Sequence, residues 1–127
     1  LHNCISAYAK ELDVSETYVS PNKDYIFTND LKSLSGTILH KIVFSFKLAY
    51  IKLIKEKTGI ILPIVWDSPT GREVMHSTVE KMLKIVQRDF SDHQLIVASI
   101  YDYDLRDKKT IEFKDRLFSS TDIMSVN

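Results

Sequence analysis

The sequence predicts an α/β fold with a parallel-sheet core and flanking helices, and three stretches carry that expectation. Residues 60–66 read Ile-Ile-Leu-Pro-Ile-Val-Trp, a nearly unbroken apolar run closed by Asp67, as expected of a strand covered on both faces of a parallel sheet. Residues 94–99, Gln-Leu-Ile-Val-Ala-Ser, form a second such run. Between them Val79, Met82, Leu83, Val86 and Phe90 recur at helical spacing. Strand, helix and strand within about forty residues make a βαβ unit, which implies parallel strands joined by a right-handed crossover.

The remaining elements follow in chain order. Leu1, Ile5, Tyr8 and Leu12 fall at spacings of four, three and four, the seam of a packed helix or of the end of a coiled coil. Tyr18-Val19 and Tyr25-Ile26-Phe27 flank Pro21-Asn22-Lys23-Asp24, which predicts a short β-hairpin around a proline and Asn/Asp turn. Over residues 37–58, Ile38, Ile42, Phe46, Ala49 and Leu53 leave only a narrow polar stripe of Lys41, Ser45, Lys52 and Glu56. Such a helix is covered by protein on most sides. It spans roughly 33 Å at ~1.5 Å per residue, and Gly59 is its natural stop. Pro63 has no N–H to give a ladder, so it calls for a bulge or an unpaired position. Ser77 and Glu80 match a capping box for the helix that follows. Residues 110–113 are one more strand candidate, and the polar end, 115–127, is expected to be a loose tail.

At 127 residues, 44% apolar and 27% charged, the chain is one globular domain's worth of material. Lys plus Arg and Asp plus Glu both total 17, so net charge gives no argument for nucleic acid or a membrane surface. A single cysteine, Cys4, excludes an internal disulfide framework and, with no signal peptide, points to the cytoplasm. Lys41, Lys47 and Lys52 interrupt the most apolar helix, so no membrane partner is expected. His2, His93 and Cys4 show no metal-ligand spacing, and no zinc is expected. His40 reads as a packing residue, Trp66 as core, and Tyr101-Asp102-Tyr103-Asp104 as a surface turn. Because it opens on Leu1 and not on Met, the chain reads as part of a longer protein or as one with its start removed.

Two motifs carry chemistry. Ser33-Leu34-Ser35-Gly36-Thr37 opens the long helix, and a Ser-Gly turn at a helix start offers N–H groups and the positive end of a helix dipole to an anion. The strand ending in Asp67 puts a carboxylate where phosphate-handling α/β folds support a magnesium ion. In this order, joined by one helix, the two resemble the C-terminal lobe of an ABC-type ATPase head. Leu34-Ser35-Gly36-Thr37 resembles the signature motif, usually Leu-Ser-Gly-Gly, and Ile64-Val65-Trp66-Asp67 resembles a Walker B strand. Residues 94–99 stand where such folds place the strand before the switch histidine. The likeness covers about residues 28–100. It is nearest in pattern to the coiled-coil branch of chromosome-maintenance, recombination and DNA-repair ATPases, whose bacterial members are often encoded beside genome-maintenance or anti-phage genes.

That resemblance implies the fold of a P-loop ABC-type head, with ATP and Mg2+ as cofactors. Leu34, Ser35, Gly36 and Thr37 would form the nucleotide contact. The Ser35 hydroxyl and the Gly36 and Thr37 backbone would reach the γ-phosphate of ATP held by an opposing head. Asp67 would support the magnesium ion through water. The implied partners are an N-terminal nucleotide-binding lobe of the same protein, a second head in a homodimer, and DNA through the full assembly.

Three positions depart from the family pattern. Ser68 stands where a glutamate normally positions the attacking water, Glu73-Val74-Met75 where a Leu-Asp pair is expected, and Ile100 where the switch histidine belongs. Serine is a poor general base at its ordinary pKa, which makes Glu73 and His76 the nearest catalytic candidates beside Asp67 and Ser68. No Gly-x-x-x-x-Gly-Lys-Ser/Thr loop occurs in the chain, so ATP hydrolysis is expected only with the nucleotide-binding lobe. The alternative is a non-catalytic α/β interaction or dimerisation module, a degenerate head.

Overall fold

The computed structural model describes residues 1–19, 36–69 and 74–114. They form a small α/β fold of three helices, α1 (His2–Glu11), α2 (Gly36–Thr58) and α3 (His76–Asp89), and two strands, β1 (Ile64–Asp67) and β2 (Leu95–Ala98). The strands pair in parallel, Ile64 opposite Leu95 through Asp67 opposite Ala98, with α3 between them in sequence.

The helical seam of α1 is packed into the core of the described residues. Ile5, Tyr8 and Leu12 are buried, with Ala9 beside them, and Leu1 is left half exposed. Polar contacts then fix α1 antiparallel to α3. Tyr8 Oη donates to Asp89 Oδ2 at 3.0 Å, Arg88 makes two 2.8 Å bonds to the Glu11 carboxylate, and Lys81 Nζ lies 2.7 Å from Asp13 Oδ2.

Gly59, at φ +73°, ends α2 by donating its N–H to the Lys55 carbonyl at 2.8 Å. That left-handed conformation is one a Cβ disfavours. The chain then turns back, and Phe44 stacks on Trp66 with ring centroids 5.1 Å apart. Helix α2 and strand β1 therefore run in opposite directions. His93, for which the sequence showed no metal-ligand spacing, is buried and its Nδ1 donates to the Leu62 carbonyl at 2.7 Å. This bond secures the extended link ahead of β1.

Several expectations need correction. The first strand begins at Ile64 and not at residue 60, which places Pro63 just outside the ladder, where its missing N–H costs nothing. Among the described residues the sheet is covered on one face only, where Ile64, Trp66, Leu95 and Val97 join apolar clusters with residues of the helices. On the other face Val65 is 68% exposed and Ile96 46%, so the apolar run does not mean burial on both sides among the described residues. Residues 110–113 join no ladder among the described residues, and Ile111 and Phe113 are exposed. Finally, α3 starts at His76 with Met75 as an extended N-cap and no side-chain cap, so Ser77 and Glu80 form no capping box. Buried Val74 sets the entry instead, and the Met75 carbonyl takes the Thr78 and Val79 N–H groups.

Tyr18 and Val19, read as strand, sit in a turn in which their N–H groups donate to Ser15 and Glu16 carbonyls, and Val19 is buried. The rest of the predicted hairpin, Leu34, Ser35, Glu73 and the tail 115–127 lie outside the described residues. Among the described residues no helix is long and apolar enough to cross a membrane.

Candidate functional site

Of the chemistry-bearing residues, Asp67 and Ser68 lie at the carboxyl end of the two strands, the usual place for ligands in open parallel sheets. Asp67 closes β1 with its side chain exposed. Ser68 leaves the strand at φ +50°, and its N–H still donates to the Ala98 carbonyl at 2.8 Å. The ends of β1 and β2 are thus tied together one residue beyond the ladder. The Ser68 hydroxyl turns back to donate to Asp67 Oδ1 at 3.0 Å. Buried Pro69 follows, with its ring-fixed φ.

The start of α2 comes to the same end of the molecule. Phe44 sits against Trp66, one residue before Asp67, and Gly36 is eight residues up the helix from Phe44. At ~1.5 Å per residue that places Gly36 about 12 Å further along the axis. Gly36 has φ +66°, a left-handed conformation that suits glycine, and Thr37 follows it in the first turn. Of the four signature-like residues, Gly36 and Thr37 are therefore positioned by α2.

His76 occupies the first position of α3 and is held by its neighbours. Its ring stacks on Tyr103, with centroids 4.9 Å apart and planes 15° apart, and meets Tyr101 edge-on at 4.9 Å. Its Nε2 lies 3.4 Å from Glu80 Oε1. None of these contacts reaches Asp67 or Ser68. The 101–104 stretch is not a simple surface turn, because Tyr103 is buried against Val74, Val79 and Leu83. Burial pushes the Tyr103 hydroxyl's pKa above its usual value. The alternation of Tyr103 and Leu105 with Asp102, Asp104 and Arg106 was the signal for this inward face. His40, read as packing, is exposed, whereas Trp66 packs in the core.

Among the described residues no group of three or more His, Cys, Asp and Glu side chains could hold a metal ion. A magnesium ion bound with ATP does not need such a cage, since one carboxylate plus phosphate oxygens and waters is its common environment. Asp67, exposed at a strand end with Oδ2 free of any hydrogen bond from the described residues, fits that role. The chain matches no protein-family model, no curated protein and no solved structure.

Proposed function

We propose that this chain is the C-terminal lobe of a split ABC-type ATPase head. It supplies the signature residues Leu34, Ser35, Gly36 and Thr37 and the Walker B carboxylate Asp67, and works with an N-terminal nucleotide-binding lobe of the same protein. Two heads close around ATP and Mg2+ and reopen on hydrolysis. The output is mechanical work on DNA in maintenance, repair or anti-phage defence, in the cytoplasm. The observation that carries the reading is Asp67 at the carboxyl end of β1, tied through Ser68 to β2 and sharing its end of the fold with the start of α2. An Asp there meets a hard cation, and a Gly-led helix start meets phosphate oxygens.

Ser68 favours one second reading, a degenerate head that dimerises on ATP without turning it over. Its hydroxyl proton is given to Asp67, and serine is a weak base for an attacking water.

Light scattering of the whole protein with a non-hydrolysable ATP analogue tests the common part of both readings. Wild type is expected to dimerise, whereas Gly36→Asp and Ser35→Arg are expected to stay monomeric and folded, because charge or bulk then sits where the γ-phosphate docks. Equal dimerisation of all three proteins would remove the signature assignment.

A further inference from the structure

We propose that Ser68 is a positioning residue that fixes the Asp67 carboxylate for a magnesium-bound nucleotide. The inference rests on the ATPase reading above and assigns Ser68 a different task from the water-positioning glutamate whose place it takes. The hydroxyl donates to Asp67 Oδ1 at 3.0 Å, while Oδ2 takes no hydrogen bond from the described residues. Such a bond to an ionised oxygen is charge-assisted and directional. Residues that orient a metal-supporting carboxylate in this way commonly matter tenfold to a hundredfold in metal affinity.

The backbone keeps the hydroxyl in place. Ser68 N donates to the Ala98 carbonyl at 2.8 Å, so the residue is anchored to β2 as well as β1. Its φ of +50° breaks the strand direction at this residue, and buried Pro69 limits the chain beyond it. Left-handed backbone is most comfortable for glycine or asparagine. Backbone preference alone therefore does not account for a serine here, and that separates the hydroxyl's role from the turn's role in an experiment.

The probe is Mn2+ titrated into the whole protein with a non-hydrolysable ATP analogue, followed by electron paramagnetic resonance, with unfolding temperature recorded for each variant. Ser68→Gly keeps the turn and removes the donor; it is expected to weaken Mn2+ binding about tenfold with an unfolding temperature equal to or above wild type. Ser68→Asn tolerates the same backbone and restores a donor; it is expected to recover most of that loss. If Ser68→Gly binds Mn2+ as wild type does while Asp67→Ala binds it weakly, the positioning role is wrong and the ATPase reading stands. If Asp67→Ala also binds as wild type, or wild type shows no nucleotide-dependent Mn2+ binding, both fall. A lowered unfolding temperature in both Ser68 variants would mark the residue as structural and likewise overturn the proposal.

Discussion

Phe44 and Trp66 stack with ring centroids 5.1 Å apart and planes inclined by 30°, and this contact fixes α2 antiparallel to β1. Offset aromatic pairs of this kind add about 0.5–1.5 kcal/mol to the area they bury. Their consequence for function is directional, because with α2 reversed the Gly36 end would lie far from Asp67. Phe44→Ala is expected to cost about 2 kcal/mol, below the fully buried range because the ring is only partly covered. Urea denaturation midpoints of the two proteins measure it, and a change within error would mean that the stack does not hold the helix.

The open sheet face gives a paired prediction. Val65→Thr replaces an exposed side chain and is expected to change stability by less than about 0.5 kcal/mol. Ile64→Thr, one residue earlier and 7% exposed, puts a hydroxyl among apolar neighbours and is expected to cost about 2 kcal/mol or more. Equal costs at both positions would show that both faces are covered.

The α1–α3 contact should make stability depend on pH at both extremes. The Arg88 guanidinium, and after it the Tyr8 hydroxyl, hold the Asp89 carboxyl below its usual range. A depressed carboxylate contributes stability above its unfolded value of about 4 and loses it as pH falls through the folded value. Burial first, then the bond to Asp89, push Tyr8 ionisation well above its usual value. Its contribution is therefore present below about pH 10 and is lost as pH rises beyond that. Tyr8→Phe is expected to be about 1 kcal/mol less stable near neutrality, with the gap to wild type closing above about pH 10. Denaturation midpoints across that range check it; a gap that is absent at neutrality or constant with pH would contradict it.

Much of this fold was legible from periodicity and composition. The seam of Ile5, Tyr8 and Leu12, the long α2 and its Gly59 stop, and the parallel pair around α3 all follow from spacing. The limits of β1 did not follow, because Ile60, Ile61 and Leu62 are as apolar as the strand but have no ladder partner among the described residues. Start signals for α3 misled for a related reason: burial of Val74 decided the entry, and that is a tertiary fact. His93 looked isolated because its partner, the Leu62 carbonyl, is 31 residues away. At the candidate site Asp67 was readable as a strand-end carboxylate. The left-handed turn at Ser68 was not, since serine gives no sign of positive φ.

The most direct test of the central claim is steady-state phosphate release from ATP by the whole protein, comparing wild type with Asp67→Ala at matched unfolding temperatures. Asp67 is exposed, so its removal should leave the fold intact. A working head predicts that the variant loses turnover by on the order of 10²-fold or more, the cost of losing one preorganised electrostatic contact to the reacting phosphates. Wild-type turnover in Asp67→Ala would contradict it, and this strand end would then not be a catalytic centre.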